Sequence, residues 1–200
     1  MNIAVVNPAP GLPPRRAFSV HDIRRMVDAG VLSEDENIEL TEGEIVVMAA
    51  KGYAHEMIKA ALVRAIIEAA PPDLTVGVKM TIQFSPASLL EPDIAVIPSS
   101  NLIKSDAGFV SVEHGSCLLI VEIAATTLTY DKGRKALQYA RYGVQEFWVV
   151  DANERITWIH RPFWRRLVFH CEAQRGRDAD DAGFAAPRHK AQRYLMHIAS

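Results

Sequence analysis

Apolar positions along this chain change period several times, and the changes outline its elements. Val20, Ile23, Met26 and Val27 recur at helical spacing after Ser19, and Gly30 stops them. Ser19 and Asp22 have capping-box spacing, with Asp where Glu is usual. Ser33 and Glu36 repeat that signal for a short turn. Short apolar runs at 38–40 and 44–48 flank Thr41-Glu42-Gly43 and predict a β-hairpin. Residues 53–70 are the clearest helix. Ile58, Leu62, Ala65 and Ile66 line one side, Glu56, Lys59 and Glu68 the other, and Pro71-Pro72 ends it. Strands are expected at 74–78, 80–84 and 94–97, followed by a loop near 98–115. Residues 117–123 are apolar but for one position, as in a central strand buried on both faces. A helix follows at 131–142, ended by Gly143. Strands at 147–150, 155–160 and 165–170 complete a meander, the last pair turning through Arg161-Pro162-Phe163-Trp164.

The pattern fails at both ends. Pro8, Pro10, Pro13 and Pro14 forbid regular pairing, so residues 1–17 read as a flexible leader. Residues 172–200 mix Arg, Asp and Ala without period and are expected to be partly disordered or loosely docked. A single domain is expected over 18–171.

Composition narrows the class. With 200 residues, 49% of them hydrophobic and 23% charged, the chain can bury a core without disulfides or a structural metal. A net charge of −2 and a pI near 6.4 exclude a strong non-specific nucleic-acid binder, so any nucleic-acid contact must come from a local patch. The two cysteines have no metal-site spacing. Cys117, inside an apolar run, reads as a small core residue, and a reducing cytoplasm is the simplest compartment. No signal peptide is recognisable, and no run approaches the roughly 20 apolar residues of a membrane span.

The chemistry concentrates in three places. Glu122 sits in an apolar strand, where an unpartnered carboxylate costs several kcal/mol, on the order of its desolvation. It therefore needs an exposed strand end, a cationic side chain or a metal. Glu91-Pro92-Asp93 leads directly into Ile94-Ala95-Val96-Ile97. Alone this is a turn before a strand, but two carboxylates at equivalent ends of adjacent strands would suit Mg²⁺ or Mn²⁺. Lys135 and Tyr139 lie four apart on the 131–142 helix, hence on one face. If Tyr139 packs inward, Lys135 leans toward the strands, where it could orient a water or stabilise charge on phosphoryl oxygens. Otherwise Lys132, Arg134, Lys135 and Arg141 form a solvated basic face. His55, on the first turn of the long helix, is either a general base or supporting group or a plain helix residue. His160 and His170, beside Trp158 and Trp164, read as packing. The chain has no phosphate loop, dinucleotide-binding glycine motif, H-E-x-x-H or nucleophile elbow.

The order of these signals resembles the Uma-type restriction-endonuclease-like family of the PD-(D/E)XK nuclease clan. The resemblance rests on Ile38-Glu39-Leu40, Gly43 to Met48, His55, Glu91-Pro92-Asp93-Ile94-Ala95-Val96 and Leu119-Ile120-Val121-Glu122-Ile123. It continues through Asp131, Lys135, Tyr139, Tyr142-Gly143-Val144 and Glu146 to Asp151, spanning roughly 19–170. It implies an α/β (α+β) fold, a restriction-endonuclease-like mixed sheet flanked by helices. It also implies a Mg²⁺- or Mn²⁺-dependent endonuclease acting on DNA, with Asp93, Glu122 and the Ile123 carbonyl as metal ligands. Lys135 matches a lysine moved to the helix from the strand position held here by Ala124. Glu39 and His55 match recurrent polar positions. The family's Ser-Pro-Ser/Thr turn after the strand Glu is Ala124-Ala125-Thr126-Thr127 here. The rival expectations are a non-catalytic binding or scaffold protein on the same fold and a hydrolase of a small phosphorylated molecule. The terminal hairpin offers a surface for a homodimer.

Overall fold

The computed structural model describes residues 5–6, 15–163 and 166–175. The four leader prolines, Trp164, Arg165 and residues 176–200 lie outside the described residues. In chain order the elements begin with β1 (Val5–Val6), β2 (Arg15–Arg16), α1 (Val20–Asp28), β3 (Ile38–Thr41), β4 (Glu44–Val47) and α2 (Tyr53–Ala69). Next come β5 (Leu74–Val78), β6 (Ile82–Ser85), β7 (Ser88–Leu90), β8 (Ile94–Pro98), β9 (Leu102–Lys104), β10 (Val110–Val112) and β11 (Leu119–Ala124). The chain continues with α3 (Leu128–Tyr130), a π-helical turn (Asp131–Lys135), α4 (Ala136–Arg141), β12 (Glu146–Asp151), β13 (Ile156–Phe163) and β14 (Arg166–Arg175).

These elements form two compact units that interleave along the chain. One comprises residues 1–50, 81–91 and 103–112, the other 51–80, 92–102 and 113–200. In the first, a mixed sheet runs β4-β3-β7-β6-β10-β9. Its β3–β4 hairpin closes through Glu42 and Gly43, both at positive φ (50° and 88°), the turn that matches strand twist. At Gly43 a Cβ would stand 2.7 Å from the Cβ of Ala17, so glycine is required for space as well as conformation. The α1 capping box forms as expected: Ser19 Oγ accepts from the Asp22 amide, and Asp22 accepts from the Ser19 amide. Val20 and Ile23 of α1 pack with Leu40 and Leu89.

The second unit carries the sheet β14-β13-β12-β11-β8-β5. Its only parallel pair among the described strands is β11–β12, joined by the crossover through α3, the π-turn and α4. All six residues of β11 and of β12 are buried, the apolar ones as a central strand requires and the carboxylates Glu122, Glu146 and Asp151 along with them. Ile58, Leu62 and Ile66 of α2 pack against Leu119, Val121, Ile123 and Trp148 on one face. Each such buried side chain contributes about 1.5–3 kcal/mol. On the other face Tyr139 of α4 meets Phe147, ring centroids 4.9 Å apart.

Several expectations need correction. The loop near 98–115 contains a 3₁₀ turn (Ser99–Asn101) and strands β9 and β10, and β7 also went unforeseen. Three-residue strands are too short to show a period. The expected 80–84 strand starts at Ile82 and ends at Ser85. The 131–142 helix begins at Leu128 and opens with a π-turn. Val5–Val6 pairs antiparallel with Arg15–Arg16 on either side of the leader prolines. β14 runs through Cys171 to Arg175. No helix among the described residues is long and apolar enough to cross a membrane.

Candidate active site

The two carboxylates singled out in the sequence fall on neighbouring strands of the second unit. β8 and β11 are antiparallel, with Ile94 opposite Val121. One step further along that register sets Asp93 opposite Glu122. Pro92 and Asp93 are the approach to β8, and the Asp93 carbonyl accepts from the Lys79 amide at 3.2 Å, which anchors the backbone at that point.

Asp93 is 1% exposed. Its Oδ2 accepts two hydrogen bonds of 2.9 Å, from the Ile123 amide and from His55 Nε2. With Asp93 ionised, Nε2 is the donor. The other ring nitrogen of His55 faces Glu56 Oε1 at 3.2 Å. The ammonium of Lys51 lies 3.8 Å from Asp93 Oδ1. Among the described residues Oδ1 accepts no hydrogen bond. Burial pushes the Asp93 carboxyl upward, but the His55 hydrogen bond, the Lys51 charge and the Ile123 amide outweigh it and hold the carboxyl below its ordinary value.

Glu122 is buried too. Its Oε1 accepts from Lys135 Nζ at 2.8 Å and from the Tyr139 hydroxyl at 2.9 Å. Lys135 is 1% exposed, so this ion pair is buried. Both donors come from the crossover, and the π-turn sets their angle. In it the Ala136 amide reaches back to the Asp131 carbonyl, one residue further than in an α-helix. Asp131 pins the turn by accepting from Thr127 Oγ1 at 2.5 Å. Ala124, two residues after Glu122, is fully buried and pairs with Asp151. The turn after β11 is tied by Asn153, whose Nδ2 donates to the Ala125 carbonyl at 2.7 Å.

Of the residues expected at the site, Asp93, His55 and Ile123 form one hydrogen-bonded group, and Glu122 and Lys135 a second, joined through adjacent residues of β11. Glu39 belongs to the other unit, where it is 2% exposed and accepts from the Glu91 amide at 3.1 Å. Two contributors were not assigned these parts. Tyr139 was expected only to pack, yet its hydroxyl holds Glu122. Lys51 carries no signal beyond preceding the helix of His55. His160 packs as expected: it is buried, lies 5.5 Å from the Phe147 ring, and burial followed by the Lys132 charge holds its pKa near 4. Cys117 is buried, which pushes its thiol up and makes it inert. Among the described residues no group of three or more His, Cys, Asp and Glu is placed to hold a metal ion.

The mixed sheet with a helix on each face is a restriction-endonuclease-like fold. Residues 22–179 match the family described as Uma2, putative restriction endonuclease, and the chain belongs to that family. Among solved structures it is similar to a putative nuclease belonging to DUF820 from Anabaena variabilis ATCC 29413. The two share 17% identity and a TM-score of 0.63, over 89% of this chain and 99% of that one. At that identity the likeness concerns the fold. No curated protein matches the chain.

Proposed function

We propose that this chain is a cytoplasmic, divalent-metal-dependent endonuclease that hydrolyses DNA phosphodiester bonds. The observation that carries the reading is the placement of Asp93 just before β8 and of Glu122 in the neighbouring β11, with Lys135 bonded to Glu122. The donor set fits a hard cation. Asp93 Oδ1 is a carboxylate oxygen that accepts no hydrogen bond among the described residues, and Mg²⁺ typically takes only one or two carboxylates and keeps its waters. Asp93, Glu122 and the Ile123 carbonyl would hold Mg²⁺ or Mn²⁺. When bound, the ion supplies Lewis-acid polarisation of the phosphoryl group and acidifies water.

The protein's own groups do the rest. His55 and the Ile123 amide fix the Asp93 carboxylate by its Oδ2, which leaves Oδ1 directed elsewhere. Tyr139 orients Glu122, and Lys135 brings a positive charge to the edge of that carboxylate. There it can orient the attacking water and offset charge building on the non-bridging oxygens during in-line displacement.

The altered turn at Ala125-Thr126 favours a second reading, a non-catalytic binding or scaffold protein on the same fold. One experiment separates the two. Mg²⁺ and Mn²⁺ binding are measured by calorimetry on the wild type and on Asp93→Ala/Glu122→Ala, with plasmid cleavage in the same buffers. Metal binding and cleavage lost together in the double variant support the nuclease. A wild type that binds no metal ends the mechanism and leaves the binding role.

A further inference from the structure

The site holds two lysines in different circumstances. Lys135 is 1% exposed and its ammonium sits 2.8 Å from Glu122. The Lys51 side chain is 27% exposed and reaches from the solvent boundary to within 3.8 Å of Asp93 Oδ1. That distance is an ion pair without a hydrogen bond, and among the described residues Lys51 makes no other contact with an acidic group. Asp93 Oδ2 already accepts two hydrogen bonds, whereas among the described residues Oδ1 accepts none and faces this ammonium. Oδ1 is therefore the oxygen that Lys51 and a divalent ion would contest.

We propose that Lys51 is a DNA-phosphate-binding residue whose ammonium stands against Asp93 until a metal ion takes that oxygen. The proposal rests on the metal-dependent nuclease reading. A divalent ion binds a carboxylate oxygen at about 2.0–2.1 Å and repels a nearby ammonium. The long, partly solvated lysine stem lets the charge move outward, to where the backbone of a bound duplex carries its non-bridging oxygens. Lysine serves as a point-charge partner for phosphate, and its loose geometry here suits a residue that exchanges partners. The exchange also answers a charge problem. A chain of net charge −2 needs local cations to hold DNA, and at the mouth of this site Lys51 supplies one.

The test uses the full chain, as wild type, Lys51→Gln and Lys51→Arg. Mn²⁺ alone is titrated by calorimetry. Binding of a short fluorescent duplex is followed by anisotropy in Ca²⁺ across a salt series, and cleavage kinetics are taken in Mg²⁺. Lys51→Gln should bind Mn²⁺ more tightly, by roughly three- to tenfold, because a competing cation is gone. It should bind the duplex about tenfold more weakly, with a salt slope smaller by about 1, the mark of one lost phosphate contact. KM should rise more than kcat falls, and Lys51→Arg should keep duplex binding near wild type. A Lys51→Gln protein with unchanged duplex affinity and salt slope overturns the assignment and leaves Lys51 as a partner of Asp93 only. A wild type that binds no Mn²⁺ overturns the nuclease reading and this proposal together, and that pattern cannot be confused with the first.

Discussion

Replacing Lys135 by methionine isolates what holds Glu122 in the core. Methionine keeps most of the lysine stem's volume, so the change removes the ammonium and little packing. In the native protein the two charges are 2.8 Å apart, with side chains 1% and 4% exposed. At an effective dielectric constant of 20 that separation corresponds to about 6 kcal/mol of attraction, most of it offset by the desolvation of both ions. Lys135→Met forfeits the attraction and leaves Glu122 desolvated, which costs about 3–5 kcal/mol in buried pairs. Tyr139 still donates to the same oxygen, and a hydrogen bond to a charged group is worth about 1.5–3 kcal/mol, so the lower end, about 3 kcal/mol, is expected. Urea unfolding at pH 7 would show this as a midpoint lowered by about 1.5 M for a slope near 2 kcal/mol/M. Glu122→Gln/Lys135→Met removes both charges while keeping an acceptor for Tyr139, and should return to within about 1 kcal/mol of wild type. A Lys135→Met loss below about 1 kcal/mol, or a double variant as unstable as the two single losses added, would refute the buried-pair argument.

Further outcomes follow from the same geometry. Tyr139→Phe should cost about 1.5–3 kcal/mol in urea unfolding and slow cleavage, because Glu122 loses one of the donors that orient it; unchanged stability would show the hydroxyl to be idle. Gly43→Ala should destabilise by about 1–3 kcal/mol, from positive φ and the 2.7 Å approach to Ala17, and a thermal melt at or above the wild-type temperature would contradict that. His160 stays neutral in the folded protein down to about pH 4, while in the unfolded chain it takes a proton near pH 6.5. Its contribution to stability is complete above about 6.5 and is lost as pH falls toward about 4. His160→Phe should flatten that part of the stability curve. Asp93 acts lower: its folded carboxyl lies below the usual value, so its contribution is present above the unfolded pKa of about 3.9 and is lost as pH falls through the folded value. Asp93→Asn should remove that part of the acid limb, and an unchanged limb would deny that the native carboxylate is held ionised.

Much of the frame was legible in the chain before any coordinates. Long segments with a clear period, α2 and the apolar β11, formed where the pattern put them, because a helix or central strand with one burial solution has little choice. The Ser19–Asp22 box and the Glu42-Gly43 turn were legible too, since local hydrogen bonds and positive φ are decided within four residues. Short strands such as β7, β9 and β10 were not, because three residues become a strand only when a neighbour supplies the ladder.

The same division runs through the candidate site. The cost of a carboxylate in an apolar strand requires a partner for Glu122 wherever it folds, so the sequence by itself marked that residue. It could not choose among a solvent-exposed end, a lysine and a metal. The antiparallel register of β8 on β11 decided that Asp93 stands opposite Glu122. The π-turn and the crossover of α4 decided that Lys135 and Tyr139 reach the same oxygen, and the start of α2 brought His55 and Lys51 to Asp93. These are distances between residues 13 to 42 positions apart. Local propensity cannot encode them, and only closing the chain around a shared core sets them.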